Sequence, residues 1–384
     1  MKILIALTYY RPHVSGLTIY VERLARAWTR RGHKVTVLTS RYDRKLPLRE
    51  ELHGVSVVRV PVVARISKGV LMPTIGLVSN GLVAAHDALS LHLPQLDASG
   101  IALRGRMLRK PTVLTYHSDL KLPSSAISGI AQRVVYLSNH AAAMLSHVVC
   151  AYTEDFASSS EILQRYAHKT RYVLPPVEMP PVDSLEASAW ATRHGLSSEK
   201  PIIGVAGRLA ADKGIEFLLA ALPKLREHYP NLVVLHAGPV KSVIGEQRYR
   251  RKLAPKLADL GDCYRFVGTL DPEEMCHFFA NCDVHVLPSI NSTESFGLVQ
   301  IEAALCGTPT VASALPGVRV PTQITGMGIT VPPCDVDALA RGVLEVLSRR
   351  GEFVRPREPI AEKFSPDATA GRYEAIFNEC MSGW

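Results

Sequence analysis

Two groups of polar residues have the types and spacing to do chemistry. The first is Glu294-Ser-Phe-Gly-Leu-Val-Gln-Ile-Glu302, in which two carboxylates bracket a glycine. Eight residues of helix rise about 12 Å, so the pair is too widely spaced for acid and base work on one bond. Held that far apart, the two can accept from separate sets of hydroxyls: Glu302 from vicinal hydroxyls such as those of a ribose, Glu294 from a second polyol. The second group is Arg208 and Lys213, in Gly207-Arg-Leu-Ala-Ala-Asp-Lys-Gly214. Arginine offers a planar fork and lysine a point charge, and together they neutralise charge that gathers on a diphosphate. A ligand with polyol, diphosphate and polyol in that order is a nucleotide sugar. For Glu-x7-Glu taken by itself, the plain alternative is one exposed helix glutamate and one loop glutamate.

The elements that must position these groups are readable around them. Asp283-Val-His-Val-Leu-Pro288 has the short β-branched character of a buried strand, and Val311 with Ala312 opens another after Pro309. Phe296 to Cys306 carries a helical period between them, with Ser295 to cap its start and Gly307 to end it. The loop of such a strand-loop-helix-strand unit opens at the carboxyl edge of a parallel sheet, where α/β proteins bind ligands. The N–H groups of Phe296, Gly297 and Leu298 are expected to lack helical partners there, which suits an anion, and Gly297 lets a phosphate approach the backbone. Similarly, Pro201 to Ala206 reads as a strand, and Lys213 stands at the mouth of a helix from Ile215 to Leu225. At the other end of the chain, residues 2–7, 17–31 and 34–39 form a βαβ opening around the loop Arg11-Pro-His-Val-Ser-Gly16. The strand Pro111 to Tyr116 delivers His117 and Asp119 to its carboxyl end.

Glu294-Ser-Phe-Gly-Leu, Glu302-Ala and Gly307-Thr-Pro resemble the signature of the retaining glycosyltransferases of family four, and further matches follow in order along the whole chain. The chain is similar to bacterial mannosyl- and glucosyltransferases of glycolipid and envelope polysaccharide synthesis. The resemblance implies the α/β GT-B fold: two Rossmann-like domains facing each other across a cleft, with a C-terminal helix crossing back to the first domain. It implies transfer of a hexose from a nucleoside-diphosphate sugar, GDP-mannose or UDP-hexose, to a hydroxyl with retention by front-face attack, the departing diphosphate taking the acceptor proton. In that scheme Arg208 and Lys213 are the diphosphate pair, and Glu294, Phe296, Gly297, Leu298 and Glu302 complete the donor site. His117 meets the transferred sugar through backbone or ring, and the Gly16 N–H lies near the diphosphate. His117, Arg208, Lys213 and Glu294 are the catalytic set, with no metal and no cofactor. The chain departs from the family at Ser15, where a double glycine is usual. It departs again at Pro176-Val-Glu178, in place of an Asn-Gly turn, and at Arg319 and Pro321, where an acidic residue is usual.

The expected domains are 1–180 on the acceptor side, a linker over 181–200, a nucleotide-sugar domain over 201–364, and a returning helix over 365–384. With 384 residues and 47% hydrophobic content, the chain is long enough for two cores. Net charge is +9, unevenly placed: residues 1–180 hold 23 Lys and Arg against 11 Asp and Glu, the remainder 21 against 24. The first half therefore attracts anions by its field, and an anionic membrane surface, with a lipid or envelope saccharide acceptor, is its candidate partner. A soluble acceptor and a non-catalytic nucleotide-sugar binder are the alternatives.

The basic run from Arg248 to Lys256 has little aromatic interleaving beyond Tyr249, so it reads as a solvated helix face with no nucleic-acid partner. Seven cysteines without metal spacing read as thiols of a reducing compartment. Asp335-Val-Asp337 directly precedes a helical stretch and reads as an N-cap. The longest uncharged run, 69–85, is broken by Pro73, Gly76 and Gly81, so the expected location is cytoplasmic, peripheral on the membrane at most.

Overall fold

The computed structural model describes residues 1–66, 69–119, 126–196, 201–240 and 246–382. The chain forms two compact units, Met1–Pro176 with Phe364–Trp384, and Val177–Lys363. The first unit runs β1 (Lys2–Ala6), α1 (Gly16–Arg30), β2 (Lys34–Arg41), β3 (Arg49–Leu52), β4 (Val55–Pro61), β5 (Ala64–Ile66), β6 (Gly69–Leu71), α2 (Ile75–Ala85), β7 (Ala88–Leu93), α3 (Ala98–Met107), β8 (Thr112–Tyr116), α4 (Ala126–Leu145), β9 (Val148–Ala151), α5 (Glu154–Ala157), α6 (Glu161–Arg165) and β10 (Thr170–Tyr172). Eight of these strands form one sheet in the order β10-β9-β8-β7-β1-β2-β4-β3. Its pairings are parallel except β3 with β4. Helices cover both faces of such a sheet, which is why β7 and β8 are buried at every position, their serine, histidine and threonine residues included. Leu4, Leu89, Leu91 and Leu114 anchor its core. Each contributes about 1.5–3 kcal/mol by leaving water.

The second unit runs α7 (Ser184–Arg193), β11 (Ile202–Ala206), α8 (Ile215–His228), β12 (Val233–Ala237), α9 (Gln247–Leu260), β13 (Tyr264–Gly268), α10 (Pro272–Ala280), β14 (Val284–Leu287), α11 (Leu298–Leu305), β15 (Thr310–Ser313), α12 (Val320–Thr325), β16 (Gly328–Val331), α13 (Val336–Ser348) and α14 (Arg357–Lys363). Its six strands are all parallel, in the order β13-β12-β11-β14-β15-β16. Ile203, Val234, Val284 and Val311 meet Leu218 and Leu222 of α8 in its core. Asp335 caps α13, accepting from the Ala338 N–H at 2.8 Å, while Asp337 pairs with Lys224.

The final helix, α15 (Pro366–Ser382), belongs to the first unit. It packs on α1 through Trp28 Nε1, which donates to the Ala370 carbonyl at 3.3 Å, and through the Arg31–Glu374 ion pair at 2.6 Å.

The linker expected over 181–200 is corrected over 181–196, residues 197–200 lying outside the described residues. Asp183 caps α7, accepting from Leu185 and Glu186 at 2.8 and 3.1 Å. Trp190 is fully buried, edge-on to Phe278. One large aromatic side chain outweighs a polar stretch, so this segment folds into the second unit and the boundary falls after Pro176. Phe364, fully buried, belongs to the first unit and not the second.

Candidate functional site

In the second unit, β11 and β14 are neighbours, and a small cavity opens at their carboxyl ends, lined by Gly207, Arg208, Lys213, Leu287 and Pro288. Two glycines make the close packing here possible. Gly214, at φ +61°, joins Lys213 to α8, and a Cβ there would come within 2.2 Å of the Pro288 carbonyl oxygen. Gly297, at φ +78°, precedes α11, and a Cβ there would lie 2.6 Å from Leu287 Cδ2 and 2.7 Å from Gln300 Nε2. Only glycine holds both the left-handed conformation and the contact.

The start expected for this helix is corrected. α11 begins at Leu298, its N-cap is Gly297, and no side chain caps it, so Ser295 does not play that part. The left-handed turn at Gly297 reverses the chain and excludes Ser295 and Phe296 from the helix. Phe296 is instead a buried ring, and Leu298 and Val299 are the first residues whose amides lie ahead of the helical hydrogen-bond pattern. Gln300 holds the loop in place, its Nε2 donating to the carbonyls of Phe296 at 3.0 Å and Val318 at 2.8 Å.

The cations are held by acids. Lys213 Nζ donates to Glu294 Oε2, with side chains only 19% and 16% exposed. Arg208 lies 3.6 Å from Asp212 Oδ2. Glu302, on α11, is 9% exposed. Arg208, Lys213, Glu294, Phe296, Gly297, Leu298 and Glu302 therefore lie in one unit, the first six on the loops and helix starts that follow β11 and β14 and Glu302 in the second half of α11.

Two buried histidines support the same edge. His236 shares one hydrogen bond with the Gly207 carbonyl at 2.9 Å and another with the Tyr264 hydroxyl at 2.7 Å, and burial holds its pKa down to about 4. The neutral ring must donate from Nε2 to Gly207, so Nδ1 accepts from Tyr264, and the main chain just before Arg208 is fixed. His285 on β14 is likewise neutral, its pKa lowered to about 3 by burial first and by the Lys213 charge second.

In the first unit, Gly16 is the first residue of α1, at the carboxyl edge of β1. Ser15 is its N-cap, accepting from the Thr18 N–H at 3.2 Å, so serine here does a helix-starting job that a glycine would leave undone. His117 follows β8 and is 6% exposed. Its Nε2 hydrogen-bonds His92 Nδ1 at 2.8 Å, its Nδ1 bonds the Tyr152 hydroxyl, and His92 Nε2 reaches Ser90 Oγ at 3.0 Å. Burial depresses both histidines, His92 to about 3 and His117, with the neighbouring His92 adding to the effect, well below the usual range. Thr115 shares a 2.8 Å hydrogen bond with Tyr373 of α15, which also bonds Tyr20 at 2.8 Å. Asp119 accepts from Tyr116 at 2.9 Å and Ser160 at 2.8 Å, which ties down the turn after β8.

The sequence reading did not single out Asp212, His236, His92, Tyr152 or Tyr373. Of these only His92 and His236 leave a visible signal, and a weak one: histidines set near the ends of largely apolar strands. Among the described residues, no group of three or more His, Cys, Asp or Glu is placed to hold a metal ion. No helix among them is long and apolar enough to cross a membrane. The Cys276 and Cys306 sulfurs lie 3.6 Å apart.

Residues 15–176 match the glycosyl transferase 4-like domain, and residues 187–363 match glycosyl transferases group 1. An uncharacterized glycosyltransferase of Methanocaldococcus jannaschii is 28% identical over 403 residues, covering 99% of each chain. Among solved structures, the chain is similar to sucrose-phosphate synthase from Thermosynechococcus elongatus, with a TM-score of 0.78 at 22% identity over 100% of both chains. It is also similar to Anabaena HepE in complex with UDP-glucose, with a TM-score of 0.76 at 18% identity over 100% of both chains. The architecture is thus GT-B, with two Rossmann-like α/β domains. The chain is a glycosyltransferase of the GT-B type, carrying a glycosyl transferase 4-like domain followed by a glycosyl transferases group 1 domain.

Proposed function

We propose that this glycosyltransferase moves a hexose from a nucleoside-diphosphate sugar, UDP-hexose or GDP-mannose, to a hydroxyl of a lipid or envelope saccharide, with retention and without a metal. The observation that carries the reading is the grouping of Arg208, Lys213, Glu294 and the α11 N-terminus at one sheet edge, with Glu302 buried further along α11. At rest, the two cations are neutralised by Asp212 and Glu294. An entering diphosphate takes over Arg208, Lys213 and the amides of Leu298 and Val299, because a dianion outcompetes a single carboxylate for two cations and a helix dipole. Glu294 is then released to accept from hydroxyls of the hexose, and Glu302 accepts from those of the ribose.

As the bond to the leaving diphosphate breaks, negative charge grows where these cations and amides already point, which is the origin of the rate. The acceptor attacks from the same face, and a diphosphate oxygen takes its proton, so configuration is retained. Both ring nitrogens of His117 are engaged inside the protein, so its part in meeting the sugar falls to its main-chain carbonyl. The family resemblance gives Gly16, the first residue of α1, a further N–H for the diphosphate. A bound UDP-glucose in a structure of the same fold favours UDP-hexose for first trial. The excess of 23 cationic over 11 anionic side chains in residues 1–180 supports an anionic acceptor or surface.

The test is a panel of nucleotide sugars scored for thermal shift and donor breakdown, with the anomer of the product determined. An inverted product, or breakdown undiminished in Lys213→Ala, overturns the reading.

A further inference from the structure

The first unit has a second concavity, of about 630 Å³, between the segments that follow β2 and β4. Arg41, Tyr42, Asp43, Arg44 and Arg65 line it. Three guanidiniums therefore share its wall with one carboxylate, and that carboxylate is occupied, Asp43 Oδ1 accepting from the Lys45 N–H at 2.9 Å. Some arginines of this unit are paired with acids, Arg11 with Glu22, Arg31 with Glu374 and Arg59 with Glu50, whereas others, such as Arg104 and Arg171, donate to neutral oxygens. Among the described residues, no carboxylate lies within ion-pair distance of Arg41, Arg44 or Arg65.

Arg41 is held in place by backbone alone, donating to the carbonyls of Leu46 at 2.6 Å and Arg44 at 2.7 Å, and Arg65 donates to the Tyr42 carbonyl. These contacts fix the guanidiniums of Arg41 and Arg65 without neutralising them. Such a set is complementary to a phosphate group, whose oxygens match the arginine fork. Tyr42 closes the site on one side, its ring set edge-on to Tyr9 at 5.5 Å and His13 at 5.9 Å.

We infer that this arginine-lined cleft binds a phosphate group carried by the acceptor, remote from the hydroxyl that receives the sugar. The inference rests on the proposed function for the word acceptor, but the anion site stands on the first unit alone. The strand order β8-β7-β1-β2 puts three strand spacings, about 14 Å, between the strand that ends at His117 and the one that ends at Arg41. A phosphate on the same hexose as the reacting hydroxyl cannot span that. The acceptor is therefore longer than a single hexose phosphate, its phosphate coming from a lipid headgroup or from a soluble phosphorylated glycan.

The experiment uses the full chain with saturating UDP or GDP, which occupies the diphosphate site of the second unit. Binding of radiolabelled inorganic phosphate is then measured by equilibrium dialysis for wild type, for Arg41→Gln with Arg65→Gln, and for Arg44→Gln. Arg44 makes no side-chain hydrogen bond among the described residues, so its variant keeps the loop intact. The expected result is a phosphate site that survives UDP and weakens about tenfold or more when the arginines are replaced. Phosphate binding that UDP abolishes, or that both variants retain, overturns the inference. Sedimentation with phosphatidylglycerol vesicles distinguishes the sources: loss of vesicle binding in the variants assigns a lipid headgroup, and phosphate binding without vesicle binding assigns a soluble acceptor. Donor breakdown is measured alongside, so failure of the proposed function would show as no turnover with the phosphate site intact.

Discussion

The ammonium of Lys213 rests on the carboxylate of Glu294, 81 residues further along the chain, and this contact ties the mouth of α8 to the loop before α11. Neither side chain is well exposed, so the pair is screened less than a surface ion pair and each depends on the other for its charge balance. Together with Arg208 and Asp212 it makes the resting site nearly neutral, a state from which an anion can recruit two cations at once.

Lys213→Ala is expected to lower kcat by about 10²–10³, the usual cost of one preorganised donor to a developing anion. Its effect on melting temperature should be small, and adding Glu294→Ala should restore part of any loss, because the second change removes the carboxylate left unpaired by the first. Steady-state kinetics and thermal melts of the two single variants and the double variant check this. Strictly additive stability losses would show that the ion pair does not matter to the fold.

Gly214→Ala should cost about 1–3 kcal/mol for the left-handed backbone alone, and more because the new methyl meets a backbone oxygen that cannot move aside. The same change displaces Lys213, its neighbour, so donor affinity falls with stability. Gly351→Ala, where nothing lies within 4 Å, is the control and should stay within about 0.5 kcal/mol of wild type. Urea melts with and without UDP measure both effects.

Much of this arrangement was legible in the sequence, and the parts that were not share a cause. The strand, loop, helix and strand around Glu294 and Glu302 could be read because β-branched runs and Gly307-Thr-Pro are local signals. The start of α11 was misplaced by two residues because φ at Gly297 is set by Leu287 and Gln300 packing against it, which no periodicity shows. The segment around α7 looked like a linker because its anchors find partners far along the chain, Trp190 against Phe278 and the Ala187 carbonyl on Asn281 Nδ2. Likewise, the meeting of His92 with His117 depends on β7 and β8 being neighbours in register, His92 against Thr115. Distant pairings, not local propensities, were the hidden part.

Acid should destabilise the protein through its buried histidines. His92, His236 and His285 have pKa values depressed to about 3, about 4 and about 3 from 6.5, so the folded chain refuses protons that the unfolded chain binds. Their contribution is complete above about pH 6.5 and is lost as pH falls toward their folded values. Each adds a slope of up to about 1.4 kcal/mol per pH unit in that window. Melting temperature should therefore fall from pH 7 to pH 5, and His236→Gln, tested against wild type at both values, should flatten the fall. An unchanged slope would mean that His236 titrates normally in the folded protein.

Tyr373 connects α15 both to α1 and to the strand that ends beside His117. Its fully buried hydroxyl is shared between Tyr20 on α1 and Thr115 on β8, each at 2.8 Å. Tyr373→Phe keeps the ring and strands both partners, at a cost of about 1–3 kcal/mol. Because Thr115 lies two residues before His117, the loosening should reach the carbonyl assigned to the transferred sugar, while the second unit, to which the proposed reading assigns the nucleotide, is untouched. The expected signature is a lower kcat at unchanged donor KM, with a lowered melting temperature. A rise in donor KM would instead mean that the change had spread to the Lys213 and Glu294 site, and that α15 does not act through Thr115 alone.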